Sequence, residues 1–152
     1  MKMKFITAIV AFSITFGFST VLAGLLGENN QTAQRISDLL KQDIANGQQM
    51  DEIYQSNSSF EFAEAVNEYV NSSQAIDDTN LPSDFRFVWR THMEAWRAHA
   101  DFLIRTDCMR KRMSAEETSR VTIEQKYEII TTWMNVLRIA RRYGAVIPSN
   151  AY

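Results

Sequence analysis

Between Phe85 and Leu103 the apolar residues return with a helical period that almost nothing interrupts. Phe85, Val88, Trp89, His92, Ala95, Trp96, His99, Phe102 and Leu103 fall within one narrow arc when plotted at about 100° per residue. Arg86, Arg90, Glu94, Arg97 and Asp101 occupy the opposite arc. There Arg90 with Glu94 and Arg97 with Asp101 stand four apart, so each can pair across one turn of a solvent face. A helix with so continuous an apolar stripe must pack against other elements, and it anchors the prediction of an all-α fold.

The neighbouring segments carry the same period. Ile36, Leu39, Leu40 and Ile44 predict a helix from Gln31 to Asn46, with Gly47 placed for a left-handed cap. Ser58-Ser59-Phe60-Glu61 reads as a capping box opening a second helix, whose stripe is Phe62, Val66 and Tyr69. Asn71 to Asn80 is polar and turn-rich and predicts a loop before Pro82, a residue tolerated in a first helical turn. The stripe helix then runs to about Asp107.

Ser114 to Glu117 and Thr122 to Gln125 both match the capping box. They predict either one helix from Ala115 to Tyr143 or a break near Val121, closed by Gly144. Tyr127, Ile129, Ile130, Trp133, Met134, Val136, Leu137, Ile139 and Ala140 leave that last helix only a thin polar strip. It should therefore be the bundle's central helix, or also face a second subunit. The expected architecture is a bundle of four to five helices, and no stretch shows the period-two alternation of a strand.

The first residues bear on location. Lys2 and Lys4 precede an uncharged run from Phe5, and Val21-Leu22-Ala23 puts small residues at the positions a signal peptidase requires before Gly24. The reading is a signal peptide over 1–23 and a single domain over 24–152, exported to a periplasm or secreted. An uncleaved membrane anchor is the alternative, since the run continues to Gly27 and about 20 apolar residues span a bilayer.

From Glu28 to Asp78 ten acids face only Arg35 and Lys41, whereas from Asp84 onward twelve bases face eight acids. The acidic half is expected to lie against the basic half, within one molecule or between two. A basic face for anionic lipid or another protein is the alternative. Export and a negative total argue against a nucleic-acid partner.

Cys108 is the single cysteine, so no disulfide forms within the chain. Arg110, Lys111 and Arg112 beside it would favour a thiolate if the side chain were exposed. His92 and His99 are the two histidines, interleaved with Trp89 and Trp96 on the buried stripe. Seven residues separate them, about 10.5 Å along a helix axis, so they cannot share one metal ion in one subunit.

Each imidazole is expected to be a packed core residue, bonded to a side chain or carbonyl of a neighbouring helix. The alternative is a ligand pocket walled by Trp89, Trp96, Phe85 and Trp133, with a histidine as haem ligand or polar anchor. No metal site, no catalytic residue and no required cofactor are predicted, and no nucleophile sits beside a base.

Two functional expectations follow. The first is a non-enzymatic envelope protein that binds another protein or a second copy, as an inhibitor, immunity or accessory factor would. Its contacts would come from Trp133, Met134 and Leu137 with Arg110, Lys111 and Arg112. The second is a bundle that binds a small ligand or haem through His92, His99, Trp89 and Trp96.

Overall fold

The computed structural model describes residues 30–48, 50, 59–109 and 113–151, and these form four helices and no strand. Helix α1 covers 30–48, α2 Ser59–Gln74, α3 Ser83–Met109 and α4 Ala115–Arg142. The N-terminal segment read as a signal peptide lies outside the described residues, as does Ser58 with its proposed cap. No described helix is long and apolar enough to cross a membrane.

Helices α2 and α4 do not approach each other, because α3 stands between them and packs on both. The pairs Arg90 with Asp78 and Arg97 with Asn67 run α2 and α3 antiparallel. His92 with Thr132 and His99 with Gln125 do the same for α3 and α4. Helix α1 closes the fourth side, joined to α2 by a bond from the Tyr69 hydroxyl to Asp43. The Val146 amide donates to Ser37 Oγ at 2.8 Å and ties the segment after α4 back to the start of α1. The arrangement is an up-and-down four-helix bundle.

Ile36, Leu40, Val66, Val70, Phe85, Trp89, Val136 and Leu137 fill its core. Each carries the apolar face of its own helix. A side chain of this kind contributes about 1.5–3 kcal/mol when withdrawn from water, which makes the core the main source of stability.

The ends of α4 are set by local chemistry. Ser114 Oγ accepts from the Glu117 amide at 3.1 Å while Glu117 accepts from the Ser114 amide at 2.9 Å, completing the capping box. Thr122 sits mid-helix instead, its hydroxyl bonded to the Thr118 carbonyl, so there is no break near Val121. At the far end Gly144 adopts φ 74°, and Gly144 and Ala145 donate to the Arg141 and Ala140 carbonyls. That is a Schellman closure, which only a residue free of Cβ strain enters without cost.

Four expectations need correction. Gly47 is not a left-handed cap: it lies inside α1, and its φ is not positive. Asn71 to Gln74 belong to α2 rather than to a loop, because Ser73 is buried and Asn71 and Gln74 accept from Arg97.

The outer arc of α3 is not simply solvent. Arg90 holds Asp78 through two 2.8 Å bonds, and Arg97 spans Asn67, Asn71 and Gln74, so both arginines fasten α3 to the α2 side rather than to Glu94 and Asp101. Finally, α4 is not a central helix covered on all sides, the first of the two placements expected for it. Helix α4 keeps one side uncovered, with Ile123, Tyr127, Ile130 and Met134 at 64%, 72%, 60% and 50% exposure.

Candidate functional site

Near the C-terminal end of α1 the four helices leave a cavity of about 220 Å³. Helix α1 contributes Asp43, Ile44 and Gly47, α2 contributes Tyr69, and α3 contributes His92 and Trp96. Helix α4 supplies Ile129, Ile130 and Trp133, while Met50, Asn150 and Ala151 close the rim. The volume suits a molecule smaller than an ordinary drug, and an apolar concavity with a few convergent polar groups is the usual form of a ligand site.

Aromatic rings make one corner of it. Tyr69 and Trp96 meet edge to face with centroids 5.0 Å apart and planes at 72°. His92 stands at 81° to Trp96 and lies 5.1 Å from Trp133. His92 and Trp96 stand four apart on one face of α3, and Tyr69 of α2 and Trp133 of α4 meet them there.

The hydrogen bonds of His92 fix its tautomer. An indole N–H can only donate, so the 3.2 Å contact from Trp96 Nε1 makes His92 Nε2 an acceptor. The proton is then on Nδ1, which donates to Thr132 Oγ1 at 2.9 Å. The Thr132 hydroxyl passes its own proton to the Glu128 carbonyl at 2.9 Å. Burial pushes the His92 pKa down to about 3, so the ring is neutral at pH 7 with both nitrogens occupied.

His99, one turn beyond Trp96, donates from Nδ1 to Gln125 Oε1 at 3.0 Å. Its pKa is also lowered, by burial first, against the Gln125 bond that raises it. Both histidines thus join α3 to α4.

Asp43 is the one acidic side chain in the cavity wall among the described residues. It is 4% exposed, yet it accepts from the Tyr69 hydroxyl at 2.9 Å and from Ser73. Desolvation raises its pKa to about 6, beyond what those two bonds recover. The same carboxylate, after burial itself, pushes the Tyr69 pKa well up. No lysine or arginine lines the cavity among the described residues.

The predicted site residues divide. His92, Trp96 and Trp133 meet at the cavity. Trp89 and Phe85 are core residues and do not wall it, although the Trp89 ring lies 6.3 Å from His92. His99 is buried behind Trp96 and does not line it either.

Of the partner-contact set, Met134 is half exposed, whereas Leu137 is fully buried inside this chain's own core and is no surface residue. Trp133 is half-buried and donates to the Ala151 carbonyl at 2.8 Å. Arg110, Lys111, Arg112 and the Cys108 side chain lie outside what is described.

Asp43, Tyr69, Gly47 and Met50 escaped the sequence reading. A signal was there for Asp43: it follows Ile36 by seven and Leu39 by four, a charge on the apolar face of its helix.

Among the described residues no three His, Cys, Asp or Glu side chains come together as a metal site. No protein-family model, curated protein or solved structure matches the chain.

Proposed function

We propose that this chain is an exported, non-enzymatic helical bundle that holds a small organic molecule between its helices. The observation that carries this is the cavity itself, where a buried carboxylate, three aromatic walls and three isoleucines converge on one opening. His92 acts there as part of the wall, because both of its ring nitrogens are committed to Thr132 and Trp96. Haem ligation through His92 would require giving up the Trp96 bond.

Gly47 offers the test. It lines the cavity from within a helix, and a Cβ there would stand 3.7 Å from the Tyr69 ring, an ordinary contact. Gly47→Ala should therefore fold at least as well as the native chain, while Gly47→Phe should fill the space. A library of small molecules screened by tryptophan fluorescence should yield ligands that bind the native chain and Gly47→Ala but not Gly47→Phe. Ligands held equally by Gly47→Phe would refute the assignment of the cavity.

A second reading, attachment to a second copy, is supported by the uncovered side of α4. Ile123, Tyr127, Ile130 and Met134 follow the four-three-four spacing of a coiled-coil seam over about 16 Å. Two such helices laid antiparallel would set Glu116 and Glu117 of one copy near Arg138 and Arg141 of the other, so the seam complements itself in charge. Light scattering tests it, and a monomer at high micromolar concentration would exclude it.

A further inference from the structure

We infer that the cavity selects an organic cation, an amine or quaternary ammonium group carried on a small apolar body. This rests on the pocket reading above and adds the chemical class of its occupant. The inventory of hydrogen-bonding groups is what decides it.

Every ring donor at the site is already spent on a protein acceptor: Trp96 Nε1 on His92, Trp133 Nε1 on the Ala151 carbonyl, Tyr69 on Asp43 and His92 Nδ1 on Thr132. What remains toward the space is ring faces and carboxylate lone pairs, with the Asn150 amide at the exposed rim. Apart from that rim amide, the side chains so described accept and do not donate. Among the described residues an anion would find no cationic partner there, and a neutral apolar ligand would leave the carboxylate without a countercharge.

A cation meets both features. Ring faces attract it through their quadrupoles when the charge comes within about 6 Å of the centroid, and Tyr69, Trp96 and Trp133 all line the space. Asp43 supplies the countercharge. Among the described residues no arginine or lysine competes for it within the cavity, and burial is the largest influence on its titration, with no basic group contributing.

Among the described residues, the titratable groups lining the space are Asp43 from α1, Tyr69 from α2 and His92 from α3. His92 is neutral and Tyr69 keeps its proton, so of these three groups only Asp43 changes charge between pH 5 and 8. Cation binding should therefore weaken as the solution is acidified through about pH 6.

The experiment compares choline with its neutral isostere 3,3-dimethylbutan-1-ol by calorimetry at pH 7.5, on the native chain and on Asp43→Asn. Choline should bind the native chain about tenfold or more tighter than the alcohol. Asp43→Asn, which keeps the bond from Tyr69, should remove that preference.

Equal affinity for the two probes would overturn the cation assignment while leaving the pocket in place. Failure of both probes to bind would overturn the assignment together with the pocket beneath it. A choline affinity that does not fall between pH 7.5 and pH 5 would remove Asp43 as the countercharge and overturn the assignment as well.

Discussion

Replacing His92 by alanine tests whether the imidazole holds α3 to α4. The side chain is 2% exposed and packs 5.1 Å from Trp133, so its removal leaves a cavity costing about 2 kcal/mol. Trp96 Nε1 loses its acceptor, for about 1 kcal/mol more. Thr132 adds nothing, because its hydroxyl still donates to the Glu128 carbonyl.

The expected loss is about 3 kcal/mol, a large part of the roughly 5–15 kcal/mol that holds a domain together. At about 4 °C per kcal/mol for a chain of this size the melting point should fall by about 12 °C. Urea denaturation of His92→Ala, Trp96→Phe and the double variant measures it, and the two singles should couple because they remove one shared bond. A loss under about 1 kcal/mol would refute the structural role. A variant that melts like the native chain but sheds a bound chromophore would make His92 a ligand.

The remaining predictions concern pH, assembly and export. Asp43 has its pKa raised to about 6, so its burial costs nothing below the unfolded value of 3.8, destabilises progressively as pH rises from 3.8, and reaches its full cost above about 6. His92, lowered from 6.5 to about 3, contributes stability that is present above 6.5 and lost as pH falls toward 3. The two oppose each other between about pH 6 and 4. Relative to Asp43→Asn the native chain should therefore gain about 2 kcal/mol as the pH falls from 7 to 4, and parallel stability profiles would exclude the shift. Tyr127→Glu should dissolve an α4 dimer without lowering the melting point of the monomer, as seen by light scattering and calorimetry together. Protein recovered from outside the cytoplasm should have an intact mass that begins at Gly24, and a full-length product would contradict export by cleavage.

What was legible in the sequence was local. The α3 arc could be read because each of its members lies within a turn or two of the next, and the Ser114 box and Gly144 closure because capping needs only neighbours in the chain. The partners of Arg90 and Arg97 could not be read: an i to i+4 carboxylate was available to each, yet Asp78, Asn67, Asn71 and Gln74 outcompete it across a helix pair.

Counting apolar residues also misplaced α4. Tyr127 and Ile130 look the same in sequence as Val136 and Ile139, and only the packing of α3 shows which pair is covered. The cavity draws on all four helices, so His92, Trp96 and Trp133 were visible as residues, whereas their meeting with Asp43 and Tyr69 was not.

The most direct test of the central claim is a crystal structure of the protein purified from its own compartment without refolding. The account predicts density for a small organic molecule bounded by Tyr69, Trp96, Trp133 and the Asp43 carboxylate. A cavity closed by its own side chains, or holding water alone even after soaking with choline, would contradict it.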